Sequence, residues 1–95
     1  MYKHATSVSD KNFVMLYCAS NAKQTKVGFS VSKKYGKAAK RNRIRRQMKA
    51  AVSTLIGRVV DGYNVIFIPR KHEAYIFTDV LNSVEKLLLK AGLLQ

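Results

Sequence analysis

The sequence has one cysteine, one proline and no tryptophan, and its 95 residues carry only five acids against eighteen lysines and arginines. The lone Cys18 excludes an internal disulfide and a cysteine-based metal cluster, which fits a reducing compartment, and the expectation for it is a small buried apolar residue. No apolar run approaches the roughly eighteen residues that span a bilayer, and no charged start is followed by an apolar stretch and a small-residue cleavage site. A soluble, cytoplasmic protein is expected. The acids Asp10, Asp61, Glu73, Asp79 and Glu85 and the histidines His4 and His72 are scattered, without the spacing of a zinc site or a Ser-His-acid set, and no Gly-rich phosphate loop appears. No autonomous protein active site is expected, because catalysis needs a nucleophile, a base and an orienting group together.

What the chain has in excess is positive charge. Ser32–Lys49 contains Lys33, Lys34, Lys37, Lys40, Arg41, Arg43, Arg45, Arg46 and Lys49, nine of the eighteen basic residues, with no acid among them. A formal net charge of +13 on so small a chain adds self-repulsion to a thin stability margin, so an anionic partner is expected to complete the working state. The 47% apolar content is that of an ordinary globular domain, and residues 1–95 read as one domain with no linker.

Residues 1–12 are expected as an extended lead-in. Asn12–Cys18, with Phe13, Val14, Met15, Leu16 and Tyr17, reads as a strand, and so does Lys26–Ser32, where Val27, Phe29 and Val31 alternate with Gly28, Ser30 and Ser32. The short polar turn between them suggests an antiparallel hairpin. The small-residue face of the second strand leaves room either for a packed helix or for a ligand groove.

From Ala38 to Ile56 the period changes to that of a helix, with Ile44, Met48, Ala51, Val52 and Leu55 within an arc of roughly 100°. Asn42, Arg43, Arg46 and Lys49 then point away from the core, with Arg45 flanking. Lys40 and Arg41 lie nearer the apolar side in the first turn, where long stems reach past the core edge. Gly57 is the expected helix stop and Asp61-Gly62 a turn. Tyr63–Ile68 is a strand whose continuous apolar run suits a central, doubly covered position, ended by Pro69 and followed by the basic Arg70 and Lys71. A second helix from about Thr78, capped by Thr78 or Asp79, carries the stripe Val80, Val84, Leu87, Leu88 and Ala91 and stops at Gly92.

An acid-free row of Arg and Lys neutralises phosphates and releases counterions, and Arg forks take phosphate oxygens bidentately. A solvated helix face would normally mix signs. A membrane-surface helix fits less well, because the apolar stripe is rich in Ala and lacks interfacial aromatics. Composition alone leaves DNA and RNA both open.

The string Lys26–Arg46, Lys-Val-Gly-Phe-Ser-Val-Ser-Lys-Lys-Tyr-Gly-Lys-Ala-Ala-Lys-Arg-Asn-Arg-Ile-Arg-Arg, closely resembles the signature of the protein component of bacterial ribonuclease P. The likeness extends to Tyr2–Val8, Phe13–Tyr17 and Tyr63–Lys71, so it covers most of the chain. It implies an accessory subunit of an RNA-based endoribonuclease. The partner RNA would hold the catalytic Mg²⁺ and remove the 5′ leader of precursor transfer RNA, and the protein would dock on that RNA and hold the leader across its sheet. No protein partner and no membrane are implied. By position, Lys33, Lys34, Lys37, Lys40, Arg41, Asn42, Arg43, Arg45, Arg46 and Lys49 are the expected RNA-binding residues. Tyr2, Phe13, Val14 and Leu16, with Ser30 and Ser32 of the small-residue face, fall where the leader groove is formed or supported.

Three departures accompany the likeness. Family members usually carry a further basic helix with an aromatic ahead of the position of Tyr2, a segment this sequence does not include. Leu16 stands where some members have an aromatic, and Lys49 stands where an Arg is common. The implied fold is α+β: a two-layer sandwich, ribosomal-protein-domain-like, with a mixed sheet of three to four strands, two helices and a left-handed βαβ crossover through the basic helix. The alternatives are a structural RNA-binding protein of ribosomal type, with no cleavage role, and a DNA-binding helix domain.

Overall fold

In the computed structural model, residues 5–20, 23–70 and 76–94 are described. Four strands, β1 (Thr6–Ser9), β2 (Phe13–Ala19), β3 (Lys26–Phe29) and β4 (Tyr63–Pro69), form a mixed sheet in the order β1-β2-β4-β3. Helix α1 (Ala38–Leu55) connects β3 to its parallel neighbour β4, and α2 (Phe77–Lys90) follows β4. The result is a two-layer α+β sandwich with both helices on one sheet face.

The strand order corrects the expected hairpin. β2 and β3 are neighbours in sequence but do not pair; β4 lies between them, antiparallel to β2 and parallel to β3. The reason lies in β4 itself. Val65 and Phe67 are buried on the helix side, while Ile66 and Ile68 lie half-buried on a face that no helix covers, so β4 is central but not doubly covered, and strand neighbours on both sides give its second apolar set what shelter it has. The lead-in also does more than expected, since Thr6–Ser9 pairs with Val14–Tyr17 as an edge strand. β3 ends at Phe29, three residues early, although the Ser30 N–H still donates to the Phe67 carbonyl at 3.0 Å.

Helix α1 buries Ile44, Met48, Ala51, Val52 and Leu55, the stripe set by its 3.6-residue period. Helix α2 buries Val80, Val84, Leu87 and Leu88, and with Phe13, Met15, Val65 and Phe67 of the sheet these residues form a single apolar cluster. Gly57 does not end α1 in a left-handed residue; the helix tightens into a 3-10 turn over Ile56–Arg58. Gly62 and Gly92 do take positive φ, +92° and +73°.

At Gly92 the Leu93 N–H donates to the Leu88 carbonyl and the Gly92 N–H to that of Leu89, a Schellman ending that turns Leu93 into the core. The Val60 N–H then donates to the Leu93 carbonyl at 2.7 Å, tying the end of α2 to the segment after α1. Neither Thr78 nor Asp79 caps α2: the cap position is Ile76, and both lie inside the first turn.

Candidate nucleic-acid interface

Two surfaces follow from this packing, and they face in opposite directions. The first is the outer side of α1. Burying the Ile44–Leu55 stripe turns Asn42, Arg43, Arg45, Arg46 and Lys49 outward, and all five are exposed. Lys33 and Lys34, on a 3-10 turn at Lys33–Tyr35, and Lys37, at the helix N-cap, are exposed as well.

Lys40 and Arg41 are half-buried, as their first-turn position requires. The Lys40 ammonium sits 5.7 Å from the centre of the buried Tyr35 ring, a cation–π contact that holds the turn against the helix. Burial raises the pKa of the Tyr35 hydroxyl, which keeps it neutral beside that cation. The Arg41 Nε is buried and meets no acceptor among the described residues.

The start of α1 runs against ordinary helix electrostatics. Its first turn has no acid and its cap no side-chain hydrogen bond, while Lys37, Lys40 and Arg41 stand at the positive end of the helix dipole. Each such cation costs about 0.3–1 kcal/mol at low ionic strength. An anion at this end would offset that cost and accept from Arg41. A local rule broken without compensation inside the fold is what a binding surface leaves in a sequence.

The second surface is the sheet face away from the helices. Register places Ser7, Leu16, Ile66 and Gly28 in one row across the four strands, with Ser9, Val14 and Ile68 in the next, continued by the exposed Ser30. Cys18, Asn64 and Lys26 make a third row. Val14, Leu16, Ile66 and Ile68 are only half-buried. A Cβ added to Gly28 would meet only Ile66 Cγ1, at 3.9 Å, so the small-residue face of β3 belongs to this open side and packs against no helix.

Of the expected groove residues, Val14, Leu16 and Ser30 lie on the open face, and Ser32 is exposed where β3 gives way to the basic turn. Phe13 is on the other side, 0% exposed, because strand alternation sends Phe13 and Met15 into the core; it supports the groove floor from beneath. Tyr2 lies outside the described residues, as does Lys71. Cys18 is half-buried on the open face rather than a core residue.

The same parity puts the strand aromatics under the sheet. Tyr17 and Tyr63 pack edge to face at 6.5 Å, and Phe29 stacks on Phe67 at 6.3 Å. Among the described residues the open face therefore has an aliphatic floor, without a ring. Sequence reasoning missed Ser7, Ser9, Asn64 and Ile66 as members of this face, because membership depends on pairing partners. Among the described residues, no three His, Cys, Asp or Glu side chains come together as metal ligands, and no helix is long and apolar enough to cross a membrane.

The fold and site define a class of compact mixed-sheet α+β domains that turn an acid-free cationic helix outward. Within that class, the ribonuclease P family model matches residues 1–92. Proteins named ribonuclease P protein component are similar along nearly the whole chain. The one from Clostridium kluyveri is 39% identical over 97 residues, covering 98% of this chain and 86% of that protein. The one from Thermoanaerobacter sp. strain X514 is 36% identical over 94 residues, covering 98% and 81%. Among solved structures, the Staphylococcus aureus RNase P protein superposes with a TM-score of 0.88 at 28% identity, over 99% of this chain and 87% of that one. The Thermotoga maritima RNase P protein gives 0.86 at 26%, over 94% and 86%. The chain belongs to the family of ribonuclease P protein components.

Proposed function

We propose that this chain is the protein subunit of a ribonuclease P, with one RNA on each of its two surfaces. The outer face of α1 grips the folded catalytic RNA through phosphate contacts from Arg43, Arg45, Arg46 and Lys49, with Lys37, Lys40 and Arg41 at the helix start. The open sheet face holds the single-stranded 5′ leader of precursor transfer RNA over Val14, Leu16, Ile66 and Ile68. Folded RNA is recognised largely by shape and phosphates and single strands by their unpaired bases, so the two surfaces have the chemistry their partners call for. The observation that carries the reading is the opposed pair itself, joined by Ser32–Lys37, whose lysines are exposed at the end of β3.

The chemistry of cleavage resides in the RNA, which holds the Mg²⁺; the protein positions the substrate. Cations along α1 screen phosphate repulsion and so raise the effective affinity of the RNA for its metal ions. The test is to add the protein to a bacterial ribonuclease P RNA and precursor transfer RNA at limiting Mg²⁺. Faster cleavage at the correct 5′ position is expected. No gain over RNA alone would instead favour a structural RNA-binding role without cleavage.

A further inference from the structure

The basic helix does not meet the sheet edge flush. Between the outer edge of β3 and the C-terminal half of α1 lies a slot of about 260 Å³, with Val27, Phe29, Val52 and Ile56 as apolar walls and Lys49 and Ser53 on the helix side. Phe29 is held in place by its stack on Phe67, and Ile56 is 48% exposed at the rim. A second depression of about 210 Å³ continues past the shared residues Thr25 and Ile56 and brings in Gln24 and Asp61. The Thr25 hydroxyl donates to the Val60 carbonyl and accepts from the Tyr63 N–H, which fixes the junction between the two.

We propose that this slot takes an unstacked nucleobase of the catalytic RNA, an inference that rests on the RNA-binding role assigned above to α1. Charge complementarity identifies the occupant. Lys49 belongs both to the cationic outer row and to the slot wall, so a phosphate held by it places the attached base over the apolar opening. The far end has the opposite character: the Asp61 carboxylate repels a phosphate, and it and the Gln24 side-chain carbonyl can accept hydrogen bonds from the amino and imino groups of a base edge. The slot between β3 and α1, at about 260 Å³, is by itself smaller than the roughly 300–1,000 Å³ of pockets for drug-sized ligands and suits a single base rather than a stretch of strand. A base in the slot would lie against Phe29 on the side opposite Phe67, with Ile56 closing over it. Such contacts give RNA-binding proteins a grip on loops and bulges that phosphate contacts cannot supply.

The test separates base from phosphate contacts by salt. Ser53→Leu fills the slot with an aliphatic chain on an exposed helix position, and Ile56→Ala removes the rim. Each is measured against Arg46→Ala for binding to the catalytic RNA subunit of a bacterial ribonuclease P, with melting temperature as the fold control. The expected result is that both slot variants lose about tenfold in affinity while the slope of log K against log salt stays that of the parent. In dimethyl sulfate probing, a base shielded by the parent regains reactivity with Ser53→Leu. If both slot variants bind like the parent while Arg46→Ala binds more weakly, the slot is empty and the helix assignment stands. If all three bind like the parent, the helix assignment fails and the slot with it. A changed salt slope in the slot variants would mean that phosphate contacts were lost, and would overturn the proposal.

Discussion

Replacing Arg43 and Arg46 together by Ala should change how binding to the catalytic RNA responds to salt more than it changes the protein. Both side chains are exposed on the outer face of α1, opposite the buried Ile44–Leu55 stripe. Their loss removes no core contact, and the melting curve should move by no more than the equivalent of about 0.5 kcal/mol. Each phosphate contact contributes about 0.9 to the slope of log K against log salt on a duplex, so two lost contacts flatten the slope by about 1.8. Between about 50 and 200 mM salt, a fourfold change, the parent should lose about twelvefold more affinity than the double variant (four to the power 1.8). The two proteins therefore differ most at low salt and converge as salt rises. Filter binding or fluorescence anisotropy at four salt concentrations measures both slopes. Asn42→Ala, exposed on the same face but uncharged, should keep the parent slope whatever it does to affinity. Equal slopes for the parent and the double variant would refute the assignment of α1 to phosphate contact.

Three further perturbations probe other parts of the account. Met48 is fully buried in the stripe that holds α1 to the sheet, so Met48→Ala should cost about 2–5 kcal/mol in urea unfolding, and a cost under about 1 kcal/mol would contradict α1 as the lid of the core. Leu16→Tyr should place a ring on the aliphatic open face and tighten leader binding several-fold, toward the 1–3 kcal/mol per base that stacking contributes; an unchanged ratio of leader-bearing to leaderless affinity would count against that face. Burial raises the Asp10 pKa, but the Phe13 and Asn12 N–H groups, both at 2.8 Å, with Ser83 and the charge of Lys86, outweigh it and leave the carboxyl below its usual 3.8. A depressed acid stabilises above its unfolded pKa and loses that contribution as pH falls through the folded one. The stability difference between the parent and Asp10→Asn should therefore hold from about pH 7 to 5 and shrink below about pH 4, and a gap that widened with acid would reverse the sign.

Much of the fold was legible because its periods are strong. The α1 stripe, the α2 stripe and the Gly92 stop each depend on residues within a few turns of one another, and the structure buries or turns the same residues, except that Ala91 is half-buried at the C-cap of α2. Pairing was less legible. A short link between Ala19 and Lys26 suggests neighbours, but the two-sided apolar run Val65–Ile68 needs the middle of the sheet, and that long-range preference outweighs the local one. β1 was hidden because Thr6–Ser9 has a single apolar residue, Val8, packed on the core. The helix ends deviated too: Gly57 and Thr78 are plausible stops and starts by type, but α1 tightens into the 3-10 turn at Ile56–Arg58 and α2 begins at Phe77 behind the extended, exposed Ile76.

The candidate site divides along the same line. The charges of α1 could be assigned to the outer face from their helical angles alone. Which strand residues share the open face could not, because parity becomes a face only once register is known. Register is also what moves Phe13 beneath the groove, brings Cys18 out of the core and leaves the described open face without a ring. The slot beside Lys49 had no sequence signal, since it exists only where residues 25–29 meet residues 49–56.

The central claim, that one small domain holds two RNAs on opposite surfaces, is tested most directly by measuring two affinities for each of two variants. One variant is Arg43→Ala/Arg46→Ala on the helix, and the other is Ile66→Asp in the middle of the open face. The affinities are those of the protein for the catalytic RNA, and of the reconstituted complex for precursor transfer RNA with and without its leader. The account predicts that the helix variant weakens the first and leaves the leader effect intact, while Ile66→Asp abolishes the leader effect and leaves the first unchanged. If either variant moved both affinities together, the two surfaces would not be separate binding sites and the account would be contradicted.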